Sequence, residues 1–269
     1  MIKSKILMRS IILIGLGATI TGCSEPQPPI NEVAHESAIG IQSLTTPLTN
    51  TLNDGELHDL AASGQPEAML ELAYRNLNNS RYAQAFLWLQ NAVELEYAPA
   101  LMKLGELYEV GFGTIYDPQM AVMLYREAAD LGSVEAMLLL GTMYDTGLHV
   151  EQDHKLAVSF YKQAAAKSSK EALRWLIDIS DRRLDIGTPF EVYEWKETLA
   201  SEGEVQAIYE TGVALYKGWG TNSDKQAALA YLKNAADHGD KYAHIALTKI
   251  FQTDNELESL RKYLEEDVK

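Results

Sequence analysis

The sequence predicts an all-α protein, a right-handed α-solenoid of antiparallel helix hairpins preceded by an export signal and a tether. Three observations lead there: an alanine-anchored block returns about every 36 residues, each block holds two runs of apolar residues at helical spacing, and a short apolar run at the start ends in a lone cysteine. The composition agrees, since 46% hydrophobic and 23% charged residues over 269 positions is the balance of a folded soluble body rather than a disordered or collagen-like chain. Thirty-eight Asp and Glu against 23 Lys and Arg give a net charge of −15, which becomes −18 when Lys3, Lys5 and Arg9 leave with the signal. So acidic a body repels nucleic acid and anionic lipid, which need a concentrated basic face, and the sequence has none.

The first element, residues 1–22, reads as a signal peptide. Lys3, Lys5 and Arg9 precede an apolar run over residues 11–20, and the polar Thr21 ends it. That run of ten residues is too short for a spanning helix, which needs about 20. Ile20-Thr21-Gly22-Cys23 follows and resembles the bacterial lipobox, an aliphatic residue and two small ones before a lipidated cysteine. The resemblance implies a diacylglyceryl group on Cys23, cleavage just before it and acylation of the new amino group. Several acyl chains hold a protein on a membrane where one anchors only marginally. A single cysteine closes no intrachain disulfide, and an anchor gives it a use. By similarity to enteric lipoproteins, the absence of Asp at Ser24 implies the outer membrane, with the body facing the periplasm. No other cofactor is expected.

The second element, residues 23–55, is read as the lipidated cysteine and a flexible tether. From Ser24 to Leu52 there is no Lys or Arg, and four of the eight prolines fall here, at Pro26, Pro28, Pro29 and Pro47. About 30 such residues have a root-mean-square span of roughly 30 Å, enough to let the body sample space well away from its membrane.

The third element, residues 56–269, is the repeat array of about five blocks with caps. Ala100, Ala136 and Ala172 are 36 apart, Ala207 follows after 35 and Ala243 after 36, while Ala68 precedes Ala100 by 32. Internal columns recur with the anchors: Gly105, Gly141 and Gly212; Tyr108 and Tyr144; Gly111, Gly147 and Gly218; Ala121, Ala157 and Ala228. Small residues let paired helices approach while larger Leu and Tyr columns fill the space around them. Gly111 stands where a first helix should end in the left-handed conformation. Asp117, Asp153 and Asp224 precede second helices, where a carboxylate accepts free backbone N–H groups, and Pro118 and Pro189 suit the first helical position.

At these residues the chain resembles the Sel-1-like repeat family, relatives of the tetratricopeptide repeats. The pattern is nearly met from Ala100 to Gly132. Two blocks depart from it: the one from Ala172 has Ile177 where glycine is expected, and the one from Ala68 lacks the loop. They are expected to pack differently from their neighbours. The resemblance implies an inner face lined by first helices. On this sequence its binding positions are Tyr74, Met102, Glu106, Glu109, Leu138, Arg174, Asp178, Tyr209 and Tyr216. A mixture of aromatic anchors and charges suits an extended peptide or a partner helix.

Catalytic and nucleotide chemistry find little support. Gly111-Phe112-Gly113 and Gly218-Trp219-Gly220 imitate phosphate loops, but no strand precedes either, so they read as hairpin turns with Phe112 and Trp219 at their tips. The six histidines match no metal spacing, and His149 and His154 share a loop with Glu151 and Asp153 without a zinc pattern. The one cysteine is in the lipobox, and no nucleophile motif occurs. The expected function is therefore that of a non-catalytic lipoprotein scaffold binding protein partners in envelope assembly, such as polysaccharide export, pilus, flagellar or cell-wall machinery. The competing readings are a periplasmic cell-wall or β-lactam hydrolase, and a regulator that sequesters a sensor domain.

Overall fold

The computed structural model describes residues 52–183 and 186–253. The expected signal peptide, Cys23 and nearly all of the tether lie outside the described residues, as does the end of the closing segment, 254–269. Twelve helices and no strand occur among the described residues: α1 Asp54–Ala62, α2 Pro66–Asn78, α3 Tyr82–Glu94, α4 Ala98–Val110, α5 Pro118–Asp130, α6 Val134–Thr146, α7 His154–Ala165, α8 Lys170–Arg182, α9 Pro189–Ser201, α10 Val205–Lys217, α11 Lys225–Asp237 and α12 Lys241–Thr253. They divide into two compact units, with the chain boundary between Asp117 and Pro118. Within each unit every helix packs on the next in sequence, the connectivity of stacked hairpins. No described helix is long and apolar enough to cross a membrane.

The first unit runs from α1 to α4. Asn53 opens α1 with a capping box, its side chain accepting from the Glu56 N–H while the Glu56 carboxylate accepts from the Asn53 N–H. Arg75 on α2 ties this start down, reaching Asp54 at 2.6 Å, Glu71 at 2.9 Å and the Leu52 carbonyl at 2.8 Å. The core is filled by Leu57, Leu72, Leu89, Leu101 and Leu104. Each fully buried leucine stabilises the unit by about 1.5–3 kcal/mol relative to exposure.

The second unit runs from α5 to α12, and its helix boundaries follow the expected chemistry. Helices α6 and α10 stop at Gly147 and Gly218, with φ of 78° and 68°, as α4 does at Gly111 with 75°. Asp153 accepts from Lys155 N and Leu156 N to start α7, and Asp224 from Ala227 N to start α11. The glycine column earns its place sterically. A Cβ on Gly141 would fall 2.7 Å from Tyr161 Cδ1, and one on Gly212 would fall 3.0 Å from Leu232 Cγ and 3.2 Å from its backbone N. Tyr161 and Leu232 are both fully buried, so helix approach at these two points depends on the missing side chain.

The hairpin from Lys170 to Ser201 departs from this pattern, as the sequence led us to expect. Helix α8 ends at Arg183 in extended conformation rather than on a left-handed glycine. The following helix is started instead by a capping box of Thr188 and Glu191 with Pro189 at the first position. Ser180 stands where Tyr108 and Tyr144 stand elsewhere, and Gly187 is wedged between its hydroxyl and the Trp195 ring.

Candidate partner-binding face

The face to be tested is the row presented by the first helix of each hairpin, taken one unit at a time. In the first unit, α2 and α4 supply it. Lys103 on α4 sits 5.4 Å from the centre of the half-buried Tyr74 ring on α2 and pairs with Glu106 one turn on. Glu109 is half-buried on the same helix. Met102 departs from the expectation: it is 5% exposed and belongs to the core, because here the second position after the alanine anchor turns inward.

In the second unit the row is carried by α6, α8, α10 and α12, whose side chains reach one another. Leu138 is half-buried on α6. Further along that helix the buried Asp145 meets His154 Nδ1 of α7 at 2.7 Å and Arg182 Nη2 of α8 at 2.9 Å. Burial works to raise the Asp145 carboxyl, but the hydrogen bonds from Arg182 and His154 outweigh it and hold the group below the usual carboxylate range. Gln152 donates to the Asp145 carbonyl at 2.7 Å, which closes the loop over the cluster. Beneath it, burial pushes the Tyr161 phenol up to about 12, and its oxygen lies 3.2 Å from Thr142 Oγ1.

On α8, Arg174 and Asp178 are exposed and paired rather than free. Arg174 binds Glu204, and Asp178 binds Arg182 Nε at 2.9 Å. A second bridge links α8 to α10 through Lys196 of α9. This lysine is nearly buried, and its ammonium lies 2.8 Å from Glu210, 3.7 Å from Asp181 and 5.7 Å from the centre of the Trp219 ring. The stem is buried while the charge reaches two carboxylates, the arrangement a long cationic side chain permits. Sequence reasoning missed both Asp145–His154–Arg182 and Lys196, because their members lie on three helices at unrelated spacings.

The aromatic members of the row differ from one another. Tyr209 on α10 is half-buried and lies 6.2 Å from the exposed Tyr242 on α12, centre to centre. Ile245, also exposed, stands on α12 at the same register position as Tyr209. Tyr216 packs on the cluster of Tyr193, Ala214, Leu215 and Ala228, so it contributes to the hairpin interior as much as to the surface. The face therefore presents Tyr209, Tyr242 and Ile245 beside a ladder of paired charges. Anchors fixed by packing next to charges fixed by partners lose little freedom on binding, which favours recognition of another protein segment.

The loop tips share an apolar position. Phe112, Leu148 and Trp219 occupy one position in three repeats and are 46%, 49% and 45% exposed. Each of these three loops is closed by the same backbone bond, from Asp117 N to Tyr108 O, Asp153 N to Tyr144 O and Asp224 N to Leu215 O. At the position of Gly113 and Gly220 the middle loop holds His149, at φ 58°, and Gln119 donates to its carbonyl at 2.9 Å. Among the described residues no group of three His, Cys, Asp or Glu could hold a metal ion.

Comparison with known proteins bears on the repeat and the fold. The Sel1 repeat family model matches residues 98–133, 134–169 and 205–240. A protective antigen of uropathogenic Escherichia coli strains, displaying an SLR fold, is 27% identical; the match covers 74% of this chain and 44% of that one, with a TM-score of 0.56. The chain thus spans less than half of that protein's length. A Sel1 repeat protein from Oxalobacter formigenes is 20% identical over 81% of this chain and 100% of that one, with a TM-score of 0.48. Cysteine rich protein B of Helicobacter pylori is 24% identical over 44% of this chain and 87% of that one, with a TM-score of 0.37.

Proposed function

We propose that this chain, which carries three Sel1 repeats, is a non-catalytic scaffold held on the periplasmic side of the bacterial outer membrane by lipid on Cys23. Sel1-repeat proteins are generally protein–protein interaction scaffolds. The observation that carries the reading for this chain is the aromatic face of the second unit, where Tyr209 and Tyr242 stand together beside ion pairs that bridge α6, α8 and α10. The lipobox at residues 20–23, behind an apolar run too short to span a bilayer, supports the anchor. Envelope assembly is the setting such an anchor and tether suit, since a body on a flexible leash can reach a partner some distance from its own membrane.

Two experiments test this. Membrane fractionation of Cys23→Ser should find the protein unprocessed or soluble; persistence in the outer membrane after a salt wash would show that something other than the lipid holds it. For the face, photo-crosslinking in the native host with a benzophenone amino acid at position 209 should give discrete protein adducts that disappear when Tyr242 is also changed to Ala. Adducts that persist unchanged in a folded Tyr242→Ala protein would move recognition elsewhere.

A further inference from the structure

The geometry points to the loop of the first unit, residues 110–116, as a separate docking tip that inserts apolar side chains into a protein pocket rimmed by Lys and Arg. Its two sibling loops provide the comparison. All three close on the same backbone bond between the aspartate before the second helix and a residue of the first. At the two positions before that aspartate the siblings carry exposed polar residues, Glu151 and Gln152 in one and Asn222 and Ser223 in the other. The first loop carries Ile115 and Tyr116, which are 75% and 62% exposed. At the last helical residue the siblings have Thr146 and Lys217, and this loop has the exposed Val110. The fold makes this turn twice with polar side chains at these two positions, so Ile115 and Tyr116 are not there to form it. A concentrated apolar protrusion on an acidic protein marks a contact site.

The tip is also braced. Phe112 stacks on Tyr82 with ring centres 5.0 Å apart. Gly113 lies so close to the start of α3 that a Cβ there would fall 2.6 Å from the Tyr82 carbonyl oxygen. Thr114 hydrogen-bonds the buried Tyr108 phenol. Ile115 and Tyr116 therefore project from a loop whose backbone is already fixed, and little ordering remains for a partner to impose. The partner's chemistry follows from charge: Glu109 and Asp117 bracket the segment, and the chain is acidic throughout, with a net charge of −15. Anionic lipid is repelled by such surroundings, and a cationic rim is attracted.

The test uses the purified soluble chain, a fluorescent amphipathic helix built only of Leu and Lys, and a counterpart built only of Leu and Glu. Ile115→Glu with Tyr116→Gln grafts the sibling residues onto this loop; Leu148→Ser is the control in a sibling loop. The Leu/Lys helix should bind the parent, lose about tenfold or more in affinity to the double variant, and bind Leu148→Ser as it binds the parent. The Leu/Glu helix should bind none of them. Equal binding of the Leu/Lys helix to parent and double variant, or binding of the Leu/Glu helix to the parent, overturns the proposal. So does a double variant that melts early, since the side chains would then be structural. Retention of the parent but not the double variant on vesicles of phosphatidylcholine and phosphatidylglycerol also overturns it, in favour of membrane contact.

Discussion

The repeat at residues 134–169 and the hairpin that follows it build the same pair of helices from opposite choices of side chain. In the first, Gly141 lies against the fully buried Tyr161, the eighth residue of α7. The eighth residues of α3, α5 and α11 are Leu89, Tyr125 and Leu232, again fully buried. In α9 the eighth residue is Lys196, and the position matching Gly141 on α8 is Ile177. At the corresponding positions the glycine of the first helix has become the branched Ile177, and the bulky side chain of the second helix has become the unbranched stem of Lys196. Side-chain bulk is thus smaller on the second helix and larger on the first than in the regular repeat, and the charge at the end of the Lys196 stem is taken up by Glu210 and Asp181. What a hairpin must keep is the total volume between its helices, not the residue that supplies it.

The largest effect should come from the side chain that holds this exchanged arrangement together. Lys196→Ala removes a nearly buried stem and leaves Asp181 and Glu210 without their shared cation. A loss of about 3 kcal/mol is expected in denaturant unfolding, with recovery of part of it in Lys196→Met. In the regular repeat, Gly141→Leu forces a branched side chain onto the Tyr161 ring. We expect about 2 kcal/mol of destabilisation by thermal melting, against no measurable change for Ser201→Ala on the exposed surface.

These two regions were unequally legible in the sequence. The glycine columns, the left-handed stops at Gly111, Gly147 and Gly218 and the aspartate caps follow from residue type and spacing, because each is a local requirement of backbone geometry. Lys196 was hidden because the connection from Arg182 to Pro189 is one residue shorter than that from Thr146 to His154, which moves the second helix out of register with the alanine anchors. Met102 was misplaced for a related reason: an anchor fixes a helix's phase, while the inward turn of one position depends on how the neighbouring helix packs. Asp145, His154 and Arg182 belong to three helices, and nothing local in the chain joins them.

That cluster gives a comparison in acid. Because partners hold the Asp145 carboxyl below its unfolded value, its contribution to stability is present above about pH 4 and is lost as pH falls through the folded value. Asp145→Asn should cost about 1–2 kcal/mol at neutral pH and flatten the acid limb of the stability profile; an unchanged acid limb would show that the pairing carries no stability. The smallest effect belongs to Thr211, whose hydroxyl is fully buried without a hydrogen-bond partner at the register position where Leu104, Leu140 and Leu176 stand. Thr211→Val should raise stability by about 1 kcal/mol, read from the denaturant midpoint.

The exchange of volume between helices is tested most directly by a double-mutant cycle at Ile177 and Lys196. Ile177→Gly should destabilise by leaving a void, and Lys196→Tyr by overpacking and by stranding Asp181 and Glu210. Together the two changes rebuild the pairing seen between Gly141 and Tyr161, so the double variant should recover at least about 1 kcal/mol relative to the sum of the singles. Additivity to within about 0.5 kcal/mol would contradict the account, because it would mean that the two positions do not share one space.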